Sequence, residues 1–232
     1  QIGGVYANAE AALQVLKQVS SITQSVFLAY EEGWRVWSQL YLDESECLEQ
    51  IKIMKKEASD LKYSVVYPDK KRIQIIDNTT GKLMLLLNSE GNVKVTPKEV
   101  NGKVSSLQYK GKKYRGSIIM QSFEESDVTV INELSLDHYL YSVVPSEMPA
   151  SWHIEALKAQ AVAARNFALV TMGRHAAHGF DLCSTEHCQA YNGLAQENSN
   201  STEAVNATKD KVITYNGVLI SAFYHSSSGG HT

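Results

Sequence analysis

The chain has 232 residues, 44% of them hydrophobic and 20% charged, and 22 basic against 25 acidic side chains give a net charge of −3. This composition excludes wholesale disorder and collagen-like repeats, and the charge balance argues against binding nucleic acid by bulk electrostatics. No apolar run is long enough to span a bilayer, and three cysteines are too few for a disulfide scaffold. Gln1 is not an initiator and residues 226–232 stop without a closing element. A chain cut at both ends is therefore expected, with no signal or anchor visible in it.

An offset of 35 positions lays residues 5–17 over residues 40–52 without a gap. Tyr6 falls on Tyr41, and the helix-cap candidates Asn8 and Asp43 coincide. Leu13 with Leu48, and Leu16 with Ile51, fall at helical spacing on one face. Residues 26–29 and 35–41 carry the β-branched and aromatic content of strands. The predicted order is strand, helix, strand, strand, helix, a small α+β unit. Cys47, opposite Ala12 in the repeat, reads as an inert thiol packed near the buried stripe.

The hydrophobic-Tyr strand end, the Ala-rich helix and the run Gly33-Trp-Arg-Val-Trp-Ser-Gln-Leu-Tyr41 before a second helix resemble the sporulation-related repeat (SPOR) domain. That family binds peptidoglycan glycan strands stripped of their stem peptides. The resemblance implies a glycan-binding module over residues 1–58, with Trp34, Trp37, Tyr6 and Tyr41 as sugar-stacking candidates. Strand alternation puts Trp34 and Trp37 on opposite faces, so one of them belongs to a core. A ferredoxin-like α+β unit without a ligand is the plainer reading.

After residue 62 the pattern becomes β-rich, to about residue 141. Strands are predicted at 63–67, 72–76, 83–87, 92–96, 117–120 and 128–133, with turns at 88–91 and 109–116. Lys110, Lys112, Lys113 and Arg115, like the run 69–72, read as solvated hairpin tips rather than contacts for an anionic polymer.

The chemistry is concentrated beyond residue 142. Residues 154–172 form a strong helix, Ala-rich and free of Gly and Pro, with Leu157, Ala161, Ala164 and Ala168 on one stripe. Before it, Pro145 and Pro149 bracket Ser146-Glu-Met148, which predicts a rigid turn. Glu147 in that turn reads either as a helix-terminus charge or as a catalytic carboxylate. Asn216-Gly217 marks a hairpin between 211–215 and 218–224, and residues 200–203 have the spacing of a capping box that starts a short helix.

Val144-Pro-Ser-Glu-Met-Pro149, Glu155-Ala-Leu-Lys-Ala-Gln-Ala-Val-Ala-Ala-Arg165 and Phe223-Tyr-His-Ser-Ser-Ser-Gly-Gly230 together resemble the stage II sporulation protein D family, which also contains the amidase enhancers. The weaker match reaches back through Lys113-Tyr-Arg-Gly116 and Asn132-Glu-Leu134. The fold expected is α+β: a small βαββα SPOR-like module, then a mixed β-rich and helical domain over 62–232, divided into a β-rich part 62–141 and a catalytic part 142–232.

The resemblance implies a lytic transglycosylase acting on peptide-stripped peptidoglycan, with Glu147 catalytic. Ordinary glycosidases need two carboxylates. A lytic transglycosylase uses the sugar's own 6-hydroxyl as nucleophile, so one residue acts first as acid and then as base. Apolar surroundings favour such an acid, and Val143, Val144, Met148 and Trp152 are the candidates to supply them. Arg165 either anchors a loop carboxylate or orients the catalytic loop or a substrate carbonyl. Gln189, Tyr191, Tyr224, His225, Ser226 and Ser228 are the further substrate-binding candidates.

His178, Cys183, His187 and Cys188 offer two imidazoles and two thiols within eleven residues, with His175 as an alternative to His178. The spacing by itself is weak, and a disulfide between the two cysteines is the rival. Zinc bound through Cys and His in the corresponding loop of some family members inclines the reading toward metal. Such zinc would be structural, and no organic cofactor is expected. The expected setting is extracytoplasmic and cell-wall associated, with peptidoglycan glycan strands as partner. The rival functions are an amidase enhancer that stimulates a cell-wall amidase without cutting glycan, and a purely structural wall-binding protein.

Overall fold

The computed structural model describes residues 1–23, 25–39, 41, 43–67, 72–88, 92–100, 103–123 and 127–230. The turns expected at 69–71 and 89–91, and positions 40, 231 and 232, lie outside the described residues. The chain forms two units, Gln1–Asn92 and Val93–Thr232.

Period-two alternation builds the sheet of the first unit from β1 (Ile2–Tyr6), β2 (Val26–Tyr30), β3 (Trp34–Ser38), β4 (Arg72–Ile76) and β5 (Leu83–Asn88). The strand order is β1-β3-β2-β5-β4, antiparallel throughout except where β5 runs parallel to β2. Helices α1 (Ala9–Val19) and α2 (Glu44–Glu57) start on the two predicted caps. Asn8 accepts from the Ala11 N–H at 2.9 Å, and Asp43 from the Glu46 N–H at 3.0 Å. Each such cap contributes about 1 kcal/mol. Leu28, Trp34 and Val36 pack with Ala12, Val19 and Met54 of the helices, while Phe27, Ala29 and Trp37 gather with Leu86 on the opposite face.

Several expectations for this unit change. Trp37 is buried with the Arg72 guanidinium 4.7 Å from its ring centre, and Trp34 is half-buried in the helix-side cluster. Trp37 is therefore not an open platform for a sugar, and Trp34 is taken up in part by the helix-side cluster and by Tyr30, edge-on at 5.3 Å. Leu13 and Leu48 are exposed, since the stripe of α1 runs through Ala12, Val15, Leu16 and Val19 instead. Cys47 is half-buried. No strand forms at 63–67, where Tyr63 makes a single bridge to Ile2. The unit also runs well past residue 58, because Leu85, Leu86 and Leu87 of β5 pair with Leu28, Ala29 and Tyr30 of β2.

The second unit opens with β6 (Asn92–Val95), β7 (Glu99–Val100), β8 (Lys103–Val104), β9 (Leu107–Tyr109), β10 (Lys112–Tyr114), β11 (Ser117–Phe123) and β12 (Asp127–Glu133). Strands β12, β11 and β6 make one sheet, and β9–β10 a hairpin. That hairpin turns through Lys110 and Gly111, both at positive φ (45° and 78°), the backbone twist that tight hairpins favour. Lys110, Lys112 and Lys113 are exposed there. Arg115 departs from the expected basic tip, pairing through two bonds of 2.7 Å with Glu197.

Three helices complete the unit: α3 (Leu136–Glu147), α4 (Ile154–Thr171) and α5 (Ser199–Ala207). The stripe predicted on α4 is its core face. Leu157, Ala161 and Ala164 pack against Leu140, Val143 and Val144 of α3 and Ala204 and Val205 of α5, all with no solvent exposure. Alanine at these positions lets helix backbones approach closely, and each buried Leu or Val adds roughly 1.5–3 kcal/mol.

Helix α3 begins at Leu136, inside the stretch expected to be β-rich to 141, and it absorbs the expected turn at 146–148. Pro145 lies in its last turn, where a missing N–H costs one ladder bond and the fixed φ is already helical. The turn stays closed because Ser146 Oγ donates to the Ser142 carbonyl at 2.8 Å and the Met148 N–H to Val144 at 3.0 Å. Asn198, rather than Asn200, caps α5. The hairpin β13 (Thr214–Tyr215) and β14 (Val218–Leu219) turns on Asn216 and Gly217 as expected, with shorter strands.

Candidate active site

Glu147 is the last residue of α3, and its side chain is exposed. A carboxylate at a helix C-terminus is opposed by the macrodipole, so a favourable helix-end charge does not account for it. What holds it is the Ala190 main-chain N–H, donated to Oε1 at 2.8 Å. The carboxylate lines a cavity of about 260 Å³ together with Phe167, Arg174, Glu186, His187, Cys188, Phe223 and Tyr224. A second cavity, about 480 Å³, is lined by Ser184, Thr185, Glu186, His187, Ala190 and Asn192. The two share Glu186 and His187 as a common wall.

The apolar enclosure expected around Glu147 is not formed from the expected residues. Val143 and Val144 are consumed by the helical core, and Trp152 is 55% exposed. The apolar lining comes instead from Phe167 and Phe223.

Of the predicted substrate-binding residues, Tyr224 alone is on the wall of the Glu147 cavity. Burial, relieved in part by a Gln189 hydrogen bond and reinforced by the Glu147 charge, pushes its phenol up to about 12. Gln189 is buried and spends its amide inside the protein. It accepts from Tyr139 Oη at 3.2 Å and donates to the Ala164 carbonyl at 3.1 Å and to Tyr224 Oη at 2.8 Å. Its role is therefore to anchor the loop whose next residue, Ala190, reaches Glu147. Tyr191 is similarly engaged, donating to Asn132 Oδ1 at 2.7 Å and stacking on Tyr139 at 5.3 Å. Burial pushes the phenols of both Tyr139 and Tyr191 up.

Arg165 is a core strut. It is 2% exposed, donates to the Lys211 and Val205 carbonyls at 3.2 and 3.4 Å, and sits 3.6 Å from Asp137. With its guanidinium bound to α5 and the start of α3, it is not available to a substrate. His225, Ser226 and Ser228 are exposed and are not among the residues lining either cavity.

The Cys/His loop closes around a common point, with one correction. The ligand atoms of His175, Cys183, His187 and Cys188 all lie within 4.8 Å of one another. The fourth member is His175, not His178. The short 3-10 turn Ala176–His178 sets the two imidazole rings 6.4 Å apart, and His175 is the one facing Cys188 Sγ, at 3.4 Å. His187 Nδ1 lies 3.6 Å from Cys183 Sγ and 3.7 Å from Cys188 Sγ, and both sulfurs are free thiols. A tetrahedral zinc site, with bonds of about 2.3 Å to sulfur and about 2.0–2.1 Å to nitrogen, separates its donors by roughly 3.3–3.8 Å. The donor set suits such an ion, with the pairs at 3.4, 3.6 and 3.7 Å in that range and the widest pair within 4.8 Å. Burial opposes ionisation of Cys183, but hydrogen bonds from Thr185, His187 and Cys188 bring its thiol down to about 5, while burial pushes Cys188 up.

Sequence reasoning missed the Ala190 N–H, because a main-chain donor leaves no side-chain signature. It also missed Arg174, which donates to the His187 carbonyl at 3.1 Å and lines the cavity, and Tyr139, which ties Gln189 to α3.

Residues 124–215 match the model of the family described as Stage II sporulation protein. Among known proteins, an uncharacterized protein of Brachyspira hyodysenteriae is 32% identical over 173 residues, 72% of this chain and 47% of that protein. The amidase enhancer of Bacillus subtilis is 48% identical over 93 residues, 40% of this chain and 12% of that protein. Stage II sporulation protein D of Bacillus subtilis is 35% identical over 117 residues, 44% of this chain and 34% of that protein. The C-terminal resemblance is borne out by these matches. The chain spans about half or less of the length of these curated relatives.

Proposed function

We propose that the second unit cuts peptide-stripped peptidoglycan glycan as a lytic transglycosylase, with Glu147 as its one acid and base. The observation that carries the reading is Glu147 on a cavity wall with Oε1 held by the Ala190 N–H at 2.8 Å. Among the described residues Oε2 has no hydrogen-bond partner, so it is the oxygen that meets substrate. Protonated Glu147 gives its proton to the glycosidic oxygen as the bond from C1 to that oxygen breaks. The 6-hydroxyl oxygen of the same N-acetylmuramic acid ring bonds to C1, and Glu147 takes the hydroxyl proton. The products are a free 4-hydroxyl and a 1,6-anhydro end, no water is consumed, and the acid is regenerated. The polar groups Ser184, Thr185 and Asn192 of the second cavity, which shares Glu186 and His187 with the first, suit a chain of sugar hydroxyls.

His175, Cys183, His187 and Cys188 would hold a structural zinc ion. Four protein ligands leave no open position for water, so the ion's contribution would be to brace the loop that carries Gln189 and Ala190. The first unit, read as SPOR-like, would tether the protein to the same stripped glycan and raise the local substrate concentration. This activity places the protein outside the cytoplasm, at the cell wall. No helix among the described residues is long and apolar enough to cross a membrane.

A second reading is favoured by the 48% match to the amidase enhancer, the most identical of the relatives named above. In it the unit binds the wall and stimulates a cell-wall amidase without cutting glycan. One experiment separates the two: incubate the full-length protein with peptide-stripped strands, with and without an amidase on intact wall, and identify products by mass spectrometry. Anhydro ends from the protein alone support the transglycosylase. Intact strands with faster amidase release support the enhancer.

A further inference from the structure

The orientation of the Gln189 amide follows from its neighbours. The Ala164 carbonyl, 3.1 Å away, can only accept a hydrogen bond, so the amide nitrogen must face it. The amide oxygen then accepts from Tyr139 Oη at 3.2 Å. The nitrogen's second N–H points to Tyr224 Oη at 2.8 Å. An amide nitrogen has no acceptor capacity. The Tyr224 oxygen must therefore accept this bond, and its own proton must be directed elsewhere. No acceptor for that proton is found among the described residues, and Tyr224 lines the cavity that Glu147 lines.

We propose that Gln189 holds Tyr224 as a one-way hydrogen-bond donor into the Glu147 cavity, where the phenol serves an acceptor oxygen of the bound sugar. Tyr224 is the contact and Gln189 the positioning residue. The inference rests on reading this cavity as a glycan site, and it holds whether the protein cleaves the strand or only binds it. Burial supports it by keeping the phenol protonated, its proton leaving only at about pH 12. Gln189 thereby joins two tasks in one side chain. Its amide aims Tyr224, and its burial fixes the Ala190 N–H on Glu147, so donor and carboxylate are set by the same loop.

The test measures binding of fluorescently labelled, peptide-stripped glycan to the full-length protein in a Glu147→Gln background, where no turnover interferes. Tyr224→Phe keeps the ring that packs edge-on against Phe167 at 6.2 Å, so the fold is retained. Loss of one hydrogen bond to ligand predicts about tenfold weaker binding. Gln189→Met should weaken binding at least as much, since it also loosens the Ala190 loop, and the double variant should bind no worse than Gln189→Met alone, because the Tyr224 bond is already lost in it. If Gln189 only anchored the loop, Tyr224→Phe would cost as much in the Gln189→Met background as in the parent. Unchanged affinity in Tyr224→Phe overturns the donor assignment. Losses that add in full in the double variant overturn the positioning by Gln189. A Glu147→Gln parent that binds no glycan overturns the glycan reading itself, and this inference with it.

Discussion

Ala190 and Glu147 are 43 residues apart in sequence and joined by a 2.8 Å hydrogen bond from main-chain nitrogen to carboxylate oxygen. The preceding residue, Gln189, is locked into the core, and Cys188 before it belongs to the Cys/His cluster. A three-residue segment thus links the cluster, the helical core and the carboxylate. The first consequences concern metal.

The zinc content of His175→Ala should fall well below one equivalent, as should that of Cys183→Ser. The zinc content of His178→Ala should stay near one equivalent, because its ring lies outside the set of ligand atoms. Elemental analysis of protein purified under reducing conditions reads this directly. The reverse pattern for the two histidines would contradict the assignment.

Arg165→Met should destabilise the second unit by about 3 kcal/mol, by orphaning two carbonyls and the Asp137 carboxylate around a buried site. A lowered urea midpoint, with glycan affinity retained in the folded protein at low temperature, is the expected result. Normal stability with lost affinity would make Arg165 a substrate contact after all.

Asn166 is fully buried and clamps the β13–β14 hairpin to α4. It donates to the Ile213 and Ile220 carbonyls at 2.7 and 3.1 Å and accepts from the Ile213 N–H at 2.7 Å. Replacement by alanine should cost about 2–3 kcal/mol and loosen the hairpin first. Limited proteolysis should then cut near Asn216-Gly217 while the helical core stays intact. Protection equal to the parent's would count against the clamp.

Glu186 lines both cavities and is the second carboxylate near Glu147. A hydrolase would need such a pair, whereas the anhydro-forming reaction does not. Glu186→Gln should therefore change the rate by less than about tenfold and leave anhydro ends as the product. Loss comparable to that of a Glu147 variant, with reducing ends in the parent digest, would point to a hydrolase.

The parts of this molecule that were legible in its sequence are those written in periodic or capping patterns. The stripe of α4, the caps Asn8 and Asp43 and the Asn216-Gly217 turn all follow from local rules, and the structure contains each of them. The motif around Glu147 was legible as a motif. Its helical state is not, because two prolines around Ser146-Glu-Met148 predict a rigid turn, whereas Pro145 sits in a last helical turn that tolerates it. The parallel pairing of β5 with β2 joins segments more than fifty residues apart, and no local pattern encodes it. Side-chain roles were least legible. Arg165 and Gln189 are polar residues that read as binding groups, but the fold uses them to satisfy buried carbonyls. The choice of His175 over His178 depends on a 3-10 turn that three residues of sequence do not announce.

Parent and Glu147→Gln proteins should be compared on the same peptide-stripped glycan, counting 1,6-anhydro ends by mass spectrometry. Removing the only proton donor and acceptor in the proposed reaction predicts a rate loss of at least about a hundredfold, with fold and zinc content unchanged. Anhydro ends formed equally fast by the Glu147→Gln variant would show that Glu147 is not the acid and base.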